Sequence, residues 1–162
     1  MTEGFDFSTL TLKDALDLAI EVEEEARKRY EEFSVIVTGE DEQEATEAFR
    51  MMMGNEAKHG RELTARREVL FGSAPARPPP HLAAEVEAPD RGAPGHAMSA
   101  EQALAIALAS EERAYRFYDR ALPFVFDLDV RRLFEELREE ELKHRRYLEE
   151  RLRALPRSRP GR

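Results

Sequence analysis

The sequence contains no cysteine. That absence removes disulfides, thiolate zinc sites, iron–sulfur clusters and thiol nucleophiles at once. No apolar run approaches the ~18–20 residues needed to span a bilayer. The N-terminus carries acidic residues where a signal peptide would have a basic segment before an apolar one. A soluble, cytoplasmic protein with no membrane partner is therefore expected. Glycine is sparse, with 8 residues in 162, and no stretch sustains the period-2 alternation of a half-buried strand. Net positive charge is missing too. The formal charge is −9, whereas nucleic acid binding calls for a basic stripe, so no nucleic-acid partner is expected. The C-terminal arginines (Arg151, Arg153, Arg157, Arg159, Arg162) are a local exception, expected to complement the end of the last helix and then fray.

What remains is the composition of long amphipathic helices: 41% hydrophobic, 36% charged, rich in Ala, Glu, Leu and Arg. The length suits one domain with a real core. Four helices are predicted. The first runs from about Thr11 to Val37, ended by Gly39, and the second from about Asp41 to Leu70, stopped by Gly72 and Pro75. The third follows Ser99, which has capping-box spacing with Gln102, and ends near Leu122 because Pro123 would break it. The fourth runs from about Asp127–Asp129 to Ala154. This divides the chain into an N-terminal segment (1–10), a helical domain (11–154) and a basic tail (155–162). Within the domain, hairpins 11–71 and 99–154 are joined by a crossover, 72–98. So long a loop is unusual, but it suits an all-α four-helix bundle in which one connection returns along the whole bundle.

Each helix has an a/d seam with steps of 3 and 4. The first gives Leu12, Leu16, Ala19, Glu23, Ala26, Tyr30, Phe33 and Val37. The second gives Ala45, Phe49, Met52, Glu56, His59 and Leu63. The third gives Ala100, Leu104, Ala107, Glu111, Ala114, Tyr118 and Ala121, and the fourth Val130, Phe134, Leu137, Glu141, His144 and Leu148. Every seam thus carries one glutamate, and two carry a histidine beside it. The levels agree: the midpoint of Glu23 and Glu56 falls at Gly39, and that of Glu111 and Glu141 at Phe126, beside the Pro123 break. The halves also repeat, with Glu-x-x-Ala-x-x-x-Tyr at Glu23–Tyr30 and Glu111–Tyr118, and Glu-x-Lys-His at Glu56–His59 and Glu141–His144.

Four ionised carboxylates gathered in a low-dielectric core would cost several kcal/mol each, and bound cations would remove that cost. Glu-x-x-His alone is weak evidence, since about one histidine in six would show it by chance in so glutamate-rich a chain. Combined with the seams and the duplication it predicts a dinuclear metal site on Glu23, Glu56, His59, Glu111, Glu141 and His144. The competing readings are solvated glutamates and satisfied core histidines. Tyr30 and Tyr118 are either core fillers or hydrogen-bond partners of the carboxylates. Met51 to Met53 read as packing, and His81 and His96 as surface residues of the crossover. Glu21, Glu24, Glu25, Glu139 and Glu140 read as solvated charge, some of it lining a path for cations.

These residues closely resemble the rubrerythrin group of the ferritin-like superfamily, most strongly in the Glu-x-x-Ala-Arg-x-Arg-Tyr run from Glu23 and in the two Glu-x-x-His elements. The resemblance spans all four helices and implies a ferritin-like bundle with two iron ions. It implies bridging by Glu56 and Glu141, terminal ligation by Glu23 and Glu111, and His59 and His144 completing one iron each. Rubrerythrins reduce hydrogen peroxide and associate as dimers. Two departures stand out. There are no cysteines for a rubredoxin-type electron donor, so an external donor protein is implied. The extra carboxylate expected one turn after the third-helix ligand is Ala114, with Ala26 as its first-helix counterpart. That weakens the expectation of efficient peroxidase turnover and leaves ferroxidase chemistry open.

The leading expectation is therefore a di-iron oxidoreductase of peroxidase or ferroxidase type, acting with hydrogen peroxide or dioxygen and forming a homodimer. A non-catalytic bundle that holds or senses iron, manganese or zinc is the alternative. A helical module with an empty site is the least favoured reading.

Overall fold

The computed structural model describes residues 5–76, 86 and 97–156. Four long helices carry the chain: α1 (Leu12–Ile36), α2 (Glu42–Phe71), α3 (Ala100–Ala121) and α4 (Leu128–Ala154). Their bounds fall within a residue or two of those read from the sequence. His81, His96, Arg157, Arg159 and Arg162 lie outside the described residues.

The helix ends follow local chemistry. The Thr11 hydroxyl accepts the Asp14 N–H at 3.1 Å, which satisfies one of the orphan donors at the start of α1. The α1–α2 turn needs left-handed backbone, supplied by Gly39 (φ 90°) and Asp41 (φ 62°). The capping box forms at Ser99 and Gln102, each backbone N–H meeting the other's side chain at 3.1 Å. Pro123 sits in a short 3-10 turn, Leu122–Phe124. Asp127 then starts α4 by accepting the N–H groups of Asp129 and Val130.

The helices pair as hairpins, α1 with α2 and α3 with α4. Residues 97 and 98 close the crossover. Its last part returns to the far end of α1, where Thr38 N–H donates to Met98 O at 2.9 Å and Met98 N–H to Ile36 O at 3.2 Å. So α3 begins at the end of the bundle where α1 finishes, and the two run antiparallel. At the opposite end the Phe7 and Phe117 rings meet at 5.8 Å. Val86, within the crossover, is fully buried in the apolar cluster at that end.

The core divides in two. One cluster centres on Phe7, Leu16, Leu63, Phe117, Leu133 and Phe134, the other on Tyr30, Phe33, Phe49, Met52, Leu104 and Leu148. Along every helix the seam glutamate falls between the two. Of the predicted seam positions only Leu12 and His59 are half-exposed. The methionine run is not uniformly packed, because Met52 is fully buried while Met51 is 54% exposed. Three consecutive helical positions span ~200° of the surface and cannot share one face.

One buried ion pair lies off the seams. Arg67 of α2 donates to the Asp17 carboxylate of α1 and also to the carbonyls of Gly72 and Ala74. Lys13 donates to the other Asp17 oxygen at 2.9 Å and to Pro75 O at 2.6 Å. The pair closes the first hairpin and anchors the first residues of the crossover.

Candidate metal centre

Glu23, Glu56, Glu111 and Glu141 are each at most 2% exposed, and His144 is 4% exposed. All six predicted residues converge in the layer between the two apolar clusters. His144 Nδ1 lies 3.1 Å from Glu56 Oε1, 3.5 Å from Glu111 Oε2 and 3.9 Å from Glu141 Oε2. His59 Nδ1 is 3.8 Å from Glu23 Oε2. The two imidazoles stack at 5.6 Å.

Among the described residues, donor atoms within 4.8 Å of one another form two groups, Glu56–His59–His144 and Glu111–Glu141–His144. Each could hold a metal ion, and His144 belongs to both. Glu23 stands outside both groups, against His59. The halves are therefore less alike in geometry than in sequence, and His59 is the more open histidine, its side chain 20% exposed against 5% for His144.

Tyr30 donates its hydroxyl proton to Glu111 Oε1. The bond joins α1 to α3 rather than reaching back along its own helix. Tyr118 is buried, its ring 5.2 Å from Phe134. Glu140, read from the sequence as solvated charge, places Oε2 3.3 Å from His59 Nε2. Sequence reasoning missed that contact. The only signal was positional: the register that matches Glu56 with Glu141 sets Glu140 against Asn55.

The charges respond to burial and to one another. Burial pushes the Glu56 carboxyl well above the usual range, and the charges of Glu23, Glu111 and Glu141 push it the same way. Burial also raises Glu23, against a hydrogen bond with Glu56 and the charges of both histidines. Burial would raise Glu111 as well. Hydrogen bonds with Glu141 and Tyr30, and the charge of the neighbouring His144, outweigh it and pull Glu111 to about 2. For His144, burial alone would favour the neutral form, but the negative charge of the neighbouring Glu111 carboxylate raises its pKa.

A pH dependence follows from linkage. Glu23 and Glu56 hold protons in the fold that the unfolded chain releases from its ordinary carboxyl range upward, so their effect on stability worsens as pH rises. The His144 contribution is fully present below the ordinary imidazole value and is lost as pH rises through its folded value. Glu111 acts oppositely, but its contribution is lost only as pH falls toward about 2. The metal-free protein is thus expected to melt at a lower temperature at pH 8 than at pH 5.5. Divalent metal at pH 8 should reverse the loss. Calorimetry in chelator showing a flat or rising midpoint over that interval would contradict this account.

Buried lone pairs complete the picture. Glu23 Oε2, Glu111 Oε2, His59 Nδ1 and His144 Nδ1 are all buried and make no hydrogen bond. A buried polar atom left without a partner costs about 1–3 kcal/mol, more when charged. This donor set of carboxylate oxygen and imidazole nitrogen suits iron, manganese or zinc, and a cation is the partner that would satisfy it.

Fold and site together define a ferritin-like four-helix bundle of the carboxylate type. The Rubrerythrin family matches residues 14–152, and the chain belongs to that family. No curated protein matches the sequence. Among solved structures, an uncharacterized conserved protein from Magnetospirillum magnetotacticum is similar at 26% identity and TM-score 0.70, over 93% of this chain and 99% of that one. The dodecameric thioferritin of Bacteroides fragilis, a bacterioferritin-related protein, shares the fold at 19% identity and TM-score 0.64, over 88% and 84% of the two chains. A ferritin-like diiron-carboxylate protein from Bacillus anthracis does so at 17% and 0.59, over 88% and 99%. Among the described residues no helix is long and apolar enough to cross a membrane.

Proposed function

We propose that the chain holds two iron ions on Glu23, Glu56, His59, Glu111, Glu141 and His144, and that Fe(II) there is oxidised by hydrogen peroxide or dioxygen. The observation that carries this reading is the convergence of buried carboxylate and imidazole atoms that make no hydrogen bond. In this reading the four carboxylates would hold both ions between them, and His59 and His144 would supply the nitrogen ligands. A pair of adjacent irons supplies one electron each to a two-electron reduction of the oxidant, without releasing a radical.

The chain's own residues do the rest. Four carboxylates lower the charge of the site and favour the higher oxidation state. Tyr30 fixes the orientation of Glu111 by donating to it. Apolar clusters enclose the layer on either side, leaving the cleft at His59 as its opening to solvent. In this reading an electron-donor protein supplies the reducing equivalents, since the helical bundle itself has no thiolate for an electron-transfer centre. A cytoplasmic role in iron handling or oxidative stress fits this chemistry.

The assembly expected is a homodimer, consistent with exposed Phe124, Phe126 and Leu128 around the α3–α4 turn. A second reading, a bundle that holds iron, manganese or zinc without turnover, is favoured by one observation. Ala26 and Ala114 are both fully buried, so the extra carboxylate expected of a peroxidase-type site is replaced by a methyl group.

Anaerobic Fe(II) titration followed by a pulse of peroxide or air distinguishes the two. Saturation at two irons per chain and fast oxidation supports the enzyme. Saturation with slow oxidation supports the holding role, and failure to bind iron, manganese or zinc sinks both. Light scattering on the same samples reads the assembly state.

A further inference from the structure

His59 lies between two carboxylates on opposite edges of its ring. Nδ1 faces inward, 3.8 Å from Glu23 Oε2, and Nε2 faces outward, 3.3 Å from Glu140 Oε2. The other Glu140 oxygen, Oε1, accepts from Lys143 at 2.8 Å, so the carboxylate is held from both sides. A cleft of about 370 Å³ between α2 and α4 opens at this point, with Leu63 and Leu137 as its apolar walls. His59 is therefore the candidate ligand nearest solvent, and Glu140 stands at its outer edge.

An imidazole ligates metal only through a nitrogen that carries no proton, and the group facing the other nitrogen decides which one that is. Here the inward nitrogen is buried and makes no hydrogen bond. The outward nitrogen faces the nearer carboxylate. The geometry points to Glu140 as a positioning residue: its carboxylate accepts the Nε2 proton of His59, fixing the tautomer and the ring so that the Nδ1 lone pair is presented to the metal. The inference rests on the metal site proposed above, and adds a residue outside the six. It also breaks the internal repeat, because the position matching Glu140 is Asn55. The two histidines are thus held differently, His144 by burial among carboxylates and His59 by an outer acceptor.

The test compares the parent with Glu140→Ala, Glu140→Gln and Glu139→Ala. Glu139 is exposed on the same helix, so its loss removes equal charge without touching His59. In the metal-free proteins at about pH 8.5, where an ordinary imidazole is neutral, nitrogen-15 NMR reads the His59 tautomer. The parent and Glu140→Gln should carry the proton on Nε2, and Glu140→Ala should lose that preference. In Co(II) titrations Glu140→Ala should bind about 10–100-fold more weakly than the parent. Glu139→Ala should match the parent, and Glu140→Gln should fall between. A parent His59 protonated on Nδ1 overturns the inference, as does a Glu140→Ala that binds like Glu139→Ala. A parent that takes up no Co(II) or Fe(II) would instead sink the metal-site reading, and the tautomer measurement would still decide whether Glu140 fixes His59.

Discussion

Glu56→Gln is expected to weaken metal binding and to stabilise the metal-free protein, two effects of opposite sign from one substitution. Glu56 is buried, its pKa raised by burial and by three neighbouring carboxylates. At neutral pH the fold must therefore either ionise it against those charges or keep a proton that the unfolded chain has released. The second option costs about 1.4 kcal/mol per pH unit above the free carboxyl value, until the group ionises. Glutamine has the same shape, carries no charge and can donate to Glu23 as the protonated acid does. Its advantage should be absent near pH 4 and grow toward pH 8. Each kcal/mol gained would appear as roughly 2–4 °C in the midpoint for a chain of this size.

Metal binding should respond the other way. Replacing a residue that supports a ligand costs about 10–100-fold in affinity, so losing a carboxylate proposed to ligate directly should exceed that. Glu56→Ala should lose at least one of the two metal equivalents. Thermal melts in chelator and anaerobic Fe(II) titrations measure the two effects separately. If Glu56→Ala binds as much metal as the parent, the assignment of the site is wrong. If Glu56→Gln melts below the parent at pH 8, the carboxylates are not in conflict and the metal has no electrostatic cost to relieve.

Arg67→Ala should be the most damaging substitution away from the metal centre. The Asp17 side chain is 1% exposed and that of Arg67 11%. Removing one partner of a buried pair costs about 3–5 kcal/mol, because the remaining charge stays in low dielectric. Lys13 still reaches Asp17, which places the expected loss at the lower end, about 3 kcal/mol, or a midpoint lower by roughly 6–12 °C. Changing Asp17 and Arg67 together to apolar residues of similar size should restore much of it. Urea unfolding of the metal-free protein gives both values, and a loss below about 1 kcal/mol for Arg67→Ala would show that Lys13 alone satisfies Asp17.

Much of this molecule could be read from local spacing. Helix ends at Thr11, Gly39, Ser99 and Asp127 follow from side chains and backbone preferences within three or four residues. The seams fixed which face each helix buries, and so which glutamates go inside. What spacing could not supply is the rotation of one seam against another. Tyr30 shares a face with Glu23, but donates to Glu111 across the bundle. Glu140 lies one residue from a seam position and reads as solvated. It meets His59 because the α2–α4 interface turns that edge inward.

By itself the sequence determined four helices, two hairpins of equal level and six candidates for ligation on the helix seams. All of these depend on interactions between residues close along the chain, or on a periodicity that any helix imposes. Tertiary structure alone decided that the repeat is uneven: His144 is enclosed and shared by both donor groups, while His59 is open to a cleft and backed by Glu140. It also decided that Asp17 and Arg67, 50 residues apart, form a buried pair. The physical reason is the same in each case. Contacts between helices depend on packing angle and on the distance between axes, and those emerge from the volumes of all the core side chains at once.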